Sequence, residues 1–462
     1  MTSKSAAERA LSEALRSGGD FAELYMEDGR SIGMALIDGK VDSSTTGRTH
    51  GAGIRVYKGL SSVYVHGNDT SPDSLRDLAR QAAEAVGPLG SAEGRDVRLV
   101  GSVAANIHAV KYLPTDVDGA KRARLLHDAG RAARSVDPAI TQVRCSLSGR
   151  EVDVSIMNSE GLSVSDRRVY TRMAISAVAS DGTENQTGTA SPGAMAGMEL
   201  FLERLDVEQL ARDAATTAVT MLRAEHCPAG VMPVVIGPGF GGVIFHEACG
   251  HSLEATQVAF GNSEFAGKLG QRIASPIVTA IDDGTLPNEW GSINIDDEGT
   301  PSTRLVLIEN GILKNYMVDR LNGRRMGMPS TGSARRQDYA YAPTSRMRNT
   351  FIAPGADDEA EIIRTAGDGL YAKQMGGGSV NPATGEFNFA VVEGYLIRDG
   401  KIDRPVRGAT LIGKGGEVLM KIDRVASNMS QAQGMCGSQS GSVPVNVGQP
   451  MIRVTSLTVG GR

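Results

Sequence analysis

The run Gly241-Gly242-Val243-Ile244-Phe245-His246-Glu247-Ala248-Cys249-Gly250-His251-Ser252-Leu253-Glu254 constrains this chain more than any other stretch. It follows an apolar β-branched segment, Val234-Val235-Ile236, and a Gly-Pro-Gly turn at residues 237–239. Strand, glycine turn and helix in that order would carry two imidazoles and a carboxylate on an otherwise buried helix. Neutral imidazole nitrogens bind Zn2+, and a carboxylate beside the first ligand can take a proton from water held there. In H-E-x-x-H the histidines stand four apart on one helical face; here His246 and His251 stand five apart. At ~100° per residue a regular helix turns the second imidazole roughly 140° away from the first. One ion can take both only if the helix widens to an i→i+5 turn or stops at Gly250, and such wide turns concentrate at functional sites. A locally irregular helix over residues 247–251 is therefore expected. The bland alternative is a buried histidine pair satisfied by its neighbours. With 7 His in 462 residues, the pattern is rare by chance and the metal reading is preferred.

A catalytic zinc takes three protein ligands and leaves a position for water. Cys249 lies on nearly the same helix face as His246, but there it would crowd that position and compete with Glu247. Cys436, in Gln433-Gly434-Met435-Cys436-Gly437-Ser438-Gln439, reads as a loop thiolate between glycines that let backbone approach closely, and it strains the helix least. A small buried thiol is the ordinary fate of such a cysteine. Glu254 is a third candidate, or else an acceptor that orients an imidazole.

Net charge is −5, with acids and bases mixed and no basic stripe, which excludes a nucleic-acid surface. No run reaches transmembrane length, and Met1 to Glu8 holds no apolar signal core. Four widely spaced cysteines in a chain this long are no disulfide framework, so a cytoplasmic protein is expected. The 57 glycines set among Val, Ile and Thr favour short strands and tight turns.

Along the chain, a helix over 6–16 is followed by strands at 21–26, 32–37, 52–57 and 62–66. A helix over 72–86 comes next, N-capped by Ser71 with Pro72 at its first position and closed by Pro88 and Gly90. The order recurs: a helix over 118–136, strands at 142–148, 151–158, 163–166 and 170–179, and a helix over 206–223 with Asp206 as N-cap. Asp181 to Ser191 reads as a long exposed turn. Beyond Cys227-Pro228-Ala229-Gly230 the pattern is mainly β, at 277–281, 305–309, 312–318, 391–398, 411–412, 418–422 and 451–454. Hairpins are expected at Asn310-Gly311 and Asp399-Gly400, and one helix over 357–368. The segment 260–273 reads as a loop, either structural or folded over the metal. The fold class expected is α+β. An N-terminal α/β half, residues 1–225, holds two helix–strands–helix lobes (1–105 and 106–225), and a β-rich half, residues 226–462, carries the zinc-binding helix. Arg320, Arg324, Arg325, Arg335, Arg336, Arg346 and Arg348 are expected to form a solvated face or internal ion pairs, ahead of holding a substrate carboxylate.

The segments FHEACGHSLE (245–254), IDDGT (281–285), IDDEGTPSTRLVLIENGILKNYM (295–317), RLNGRRMGMPSTGSARR (320–336), EGYLIRDGKI (393–402), PVRGATLIGKGGEVL (405–419) and MCGSQSGSVPVNVGQP (435–450) resemble the TldD branch of the TldD/PmbA metalloprotease family. The resemblance implies zinc held by His246, His251 and Cys436, with Glu247 as the base. It implies action on unfolded or flexible peptides, and a dimer, either a homodimer or a heterodimer with a metal-free PmbA/TldE-type homologue. Where many relatives follow Leu-Glu with Gly-Asp, this chain reads Ala255-Thr256-Gln257, a difference that bears on substrate preference rather than metal binding. The expected chemistry is zinc-assisted peptide hydrolysis with Glu247 moving the proton. The alternative is a zinc-stabilised peptide-binding protein without its own activity.

Overall fold

Two stretches of chain fold in the same order, helix, three strands, helix. They join edge to edge in a computed structural model that describes residues 2–88, 95–381 and 384–461. The first runs Lys4–Ala14, Phe21–Ile37, Lys40–Lys58, Ser61–Gly67 and Pro72–Val86; the second runs Gly119–Arg134, Ile140–Asn158, Leu162–Ser180, Asn185–Ala190 and Val207–Leu222. Their first strands pair antiparallel from Glu23↔Asn158 to Ile37↔Arg144, making one continuous sheet. The expected pairs of short strands are single long ones. Asp28, Gly29 and Arg30 look like a break in sequence, yet the ladder runs through them opposite His50, Thr49 and Arg48. Asp28 accepts a bidentate bond from Arg48 at 2.9 and 2.8 Å, which satisfies the polar stretch across the strands. Asp181 to Ser191 is likewise corrected. Residues 185–190 form a strand on Leu162–Ser180, and Gly188 lets it press against the helix Val207–Leu222, where a Cβ would lie 1.9 Å from the Ala214 carbonyl oxygen.

The period-two alternation sorts the sheet's residues onto two faces. On one face Leu24 and Ile54 pack against Leu11, Leu75 and Ala79 of the first helix pair, and Met173 and Ile175 against Leu126 and Ala215 of the second. Ser3, Ser71 and Asp206 cap their helices through side-chain oxygens, with Pro72 in the first turn of the second. Gly90, read as part of that helix's stop, lies outside the described residues. On the opposite face Tyr25, Val154, Ile156 and Val164 meet Ile295 from the second half of the chain.

That second half builds two larger sheets and a two-stranded ribbon of Ala334–Arg335 with Thr344–Ser345. In one, the strands Gly369–Val380, Gly230–Ile236, Ile452–Gly460, Thr410–Lys414 and Glu386–Arg398 pair in that order, and the first also pairs with the last, closing a five-stranded ring. The other orders Ile312–Leu313, Arg304–Glu309, Ala280–Asp283, Asn349–Ile352, Gly441–Gln449 and Ser430–Ser438. Asn310-Gly311 and Asp399-Gly400 turn their hairpins with positive φ at both residues, as expected. Residues 418–422 are not one strand. Gly415–Met420 is a helix burying Val418 and Leu419, and a strand begins at Ile422. A short apolar run does not distinguish the two. The expected helix over 357–368 is confined to Glu359–Arg364, with Asp358 as its cap. The segment 260–273 is tied down, with Ser263 donating to the Ser252 carbonyl at 2.5 Å and Tyr316 to the Phe265 carbonyl at 2.5 Å.

Candidate metal centre

The strand Gly230–Ile236 delivers the chain to a turn at Gly239–Gly242, where Gly242 passes so close to Gly448 that a Cβ would lie 2.5 Å from its carbonyl oxygen. The helix that follows is irregular where the five-residue spacing demands it. Val243–Phe245 is α-helical, His246–Gly250 is a π turn in which the His251 N–H bonds the His246 carbonyl, and His251–Leu253 tightens to 3₁₀. The extra residue brings both imidazoles to one side, ring centres 5.1 Å apart and planes at 83°. Gly250 is needed for space: an added Cβ would lie 2.2 Å from the Met347 sulfur.

Cys436 meets this pair from a strand, not from the loop its flanking glycines suggest. It lies within Ser430–Ser438, opposite Val443. Its sulfur stands 3.3 Å from His251 Nε2, and one donor atom each from His246, His251 and Cys436 fit within 4.8 Å of one another. Burial alone would raise the Cys436 thiol, but hydrogen bonds from His246 and His251 bring it down to about 3. The two imidazoles thus favour the thiolate form, the form in which a cysteine ligates metals. Burial opposes a charged His251, while Glu254 and Cys436 raise its pKa well above the ordinary value. His246 Nδ1 is buried without a hydrogen-bond partner. Two imidazoles and a thiolate, one imidazole carrying an orphaned nitrogen, fit a borderline-soft ion such as zinc.

Glu247 stands beside this set, its Oε2 3.7 Å from His251 Nε2 and its side chain 29% exposed, so it faces the open side. Glu254 stands behind His251 and outside the cluster of three converging donors. Its Oε2 accepts from His251 Nδ1 at 3.1 Å, fixing that ring with Nε2 toward Cys436, and its Oε1 accepts from the Met347 N–H at 3.2 Å. Cys249 points into the apolar core with Phe245, Leu253 and Val418, and burial drives its thiol well up. Arg346 was legible only as part of an arginine run. Fully buried, it donates to the Cys436 carbonyl, to Ser440 Oγ and the Gly441 carbonyl at 2.9 Å each, and its Nε lies 4.0 Å from Glu254. One guanidinium therefore ties the cysteine strand to the carboxylate behind His251. Its neighbours in the run are mostly internal ion pairs, Arg348 with Asp282 at 2.8 Å and Arg336 with Glu23 at 2.8 Å.

Fold and site together define an α+β protein with a two-histidine, one-cysteine candidate metal centre and an adjacent carboxylate. The PmbA/TldA metallopeptidase C-terminal domain matches residues 229–461, the central domain 112–222 and domain 1 residues 22–86. The chain belongs to the PmbA/TldD metallopeptidase family. It is 38% identical over 454 residues to the metalloprotease TldD homolog of Haemophilus influenzae, covering 96% of this chain and 93% of that one. Its fold is shared with TldE from Thermococcus kodakarensis, at TM-score 0.75 and 19% identity over 99% of this chain and 100% of that one. A Thermotoga maritima protein described as a candidate modulator of DNA gyrase superposes at TM-score 0.80 and 20% identity, again over 99% and 100%. No helix among the described residues is long and apolar enough to cross a membrane.

Proposed function

We propose that this chain is a zinc-dependent peptidase that hydrolyses unfolded or flexible peptides. The observation that carries the reading is the convergence of His246, His251 and Cys436 from two remote segments, with Glu247 beside them on the open side. In this reading the three side chains hold the ion, and no fourth protein donor joins them among the described residues. When bound, zinc supplies Lewis acidity to a peptide carbonyl and to water. Glu247 takes the water proton on its carboxylate and passes it to the leaving amine. Glu254 keeps the His251 ring in one orientation throughout, and the Cys436 thiolate donates more charge than a third imidazole would, which tempers the Lewis acidity and favours modest turnover.

The same proposal includes a boundary near residue 225 between an N-terminal α/β domain and a C-terminal metal-bearing domain. It includes a dimer, with itself or with a metal-free PmbA/TldE-type homologue, and a cytoplasmic location in keeping with four unpaired thiols. A protein in which zinc only staples a peptide-binding surface needs a closed four-ligand site. Cys249, the nearest candidate for the fourth, is packed in the apolar core.

The test is metal content together with cleavage of a flexible peptide. The purified chain should carry one zinc, lose zinc and cleavage on chelation, and regain both on resupply. Cys436→Ser should lose the metal and Cys249→Ala should keep it. Zinc retained by Cys436→Ser and lost by Cys249→Ala would overturn the ligand assignment.

A further inference from the structure

Between the inner face of the long-stranded sheet and the hairpin that carries Cys436 lies a cavity of about 340 Å³. Tyr170 and Trp290 form one wall, ring centres 5.4 Å apart at 77°, and Met435 closes the hairpin side. Its charges do not balance. Arg150 faces Glu27 at 3.7 Å, Arg168 is paired with Asp166 and Asp297 at 3.1 and 2.7 Å, and Arg336 with Glu23 at 2.8 Å. Arg172 and Arg335 line the same space, and no carboxylate among the described residues lies within ion-pair distance of either. Arg335 is 3% exposed, and the protein acceptor it has is the Met347 carbonyl at 2.8 Å. Arg172 lies over the Trp290 ring with its guanidinium carbon 5.6 Å from the centroid. A buried guanidinium without a paired carboxylate is costly, and burial, only partly offset by the charge of Asp297, lowers Arg335 to about 10, while burial also lowers Arg172 below its ordinary value. An anion bound in the cavity that both line would relieve them.

We propose that this cavity receives a carboxylate of the peptide substrate, held by Arg335 and Arg172, with the neighbouring apolar side chain against Tyr170 and Trp290. The planar guanidinium fork matches a carboxylate, and Glu27 and Asp297 in the same cavity disfavour a more highly charged anion. The link to the metal centre is structural. Arg335 holds the carbonyl of Met347, whose neighbour Arg346 holds the carbonyl of Cys436, and Met435 lines the cavity while Cys436 faces the histidines. The inference names a substrate class for the proposed peptidase and rests on that reading. The carboxylate has two sources, the free C-terminus of a peptide or an acidic side chain.

The experiment measures binding and cleavage separately. Fluorescence anisotropy follows zinc-loaded Glu247→Gln protein with one flexible apolar peptide in three forms: free acid, C-terminal amide, and amide with a single glutamate. Hydrolysis of the same three by the parent chain is followed alongside. The free acid should bind roughly 10- to 100-fold more tightly than the plain amide, as expected for charge-assisted bonds. Recovery of affinity by the glutamate peptide would assign the side chain as a source. Added Arg172→Gln or Arg335→Gln should erase the difference without loss of zinc. If Arg335→Gln fails to fold, the half-buried Arg172 carries the test. Equal affinities for all three forms, or no measurable binding, overturn the proposal whether or not the parent cleaves. Discrimination without any cleavage, even with a metal-free homologue added, upholds the carboxylate site and removes the peptidase reading instead.

Discussion

Glu254→Gln separates holding the metal from doing chemistry at it. Glu254 is 3% exposed, accepts from His251 Nδ1 at 3.1 Å and from the Met347 N–H at 3.2 Å, and has Arg346 Nε at 4.0 Å. Glutamine keeps the shape and one acceptor oxygen, but it removes the charge that raises the basicity of His251 and turns an NH2 toward one of the two donors. Loss of such an outer carboxylate partner costs about 10- to 100-fold in metal affinity, or roughly 1.4–2.8 kcal/mol. The metal-free fold should also weaken by about 1–3 kcal/mol, because a buried donor is left without its acceptor and Arg346 loses an opposing charge. Competition against a chromophoric chelator reads the first number, and urea unfolding of the metal-free protein reads the second. Zinc affinity within twofold of the parent, in a folded variant, would refute the role assigned to Glu254.

Gly250→Ala should lower stability by about 1–3 kcal/mol through overpacking, because its Cβ meets the sulfur of a fully buried Met347 at 2.2 Å. An unchanged melting temperature would show that the π turn has room to spare. His108 is buried against the Asn288 N–H, which it accepts at 3.0 Å, and burial lowers it to about 4. The unfolded chain therefore binds this proton more readily, so the contribution of His108 is present above pH ~6.5 and is lost as pH falls toward ~4, worth at most about 3 kcal/mol. His108→Gln should flatten the change in urea midpoint between pH 7 and pH 5, and an identical change in parent and variant would rule the group out.

What was legible in the sequence was what local geometry forces. Two histidines five positions apart can face one ion only if the regular helix gives way, and a π turn is found at His246–Gly250. Asn-Gly and Asp-Gly turns, and the caps at Ser71 and Asp206, are decided within a few residues and were equally readable. What could not be read depends on distant partners. Gly434 and Gly437 make the Cys436 segment look like a loop. The strand Gly441–Gln449 pairs along it, while Trp290 and Arg346 satisfy the Gly434 and Cys436 carbonyls. The arginine run leaves a solvated face and internal ion pairs both open in sequence, and the choice rests on remote partners such as Glu23, which Arg336 meets 313 residues away. Polar residues inside the long strands mislead for the same reason, since Asp28 is satisfied across the sheet by Arg48.

In the proposed peptidase the metal centre serves catalysis with Glu247 as its base. The most direct test is hydrolysis of a flexible peptide by zinc-loaded Glu247→Gln beside the parent, with and without a metal-free homologue present. The variant should fold, keep one zinc and bind peptide, while its rate falls by ~10² or more, the usual contribution of a positioned general base. A zinc-loaded variant that cleaves as fast as the parent would remove Glu247 from the reaction.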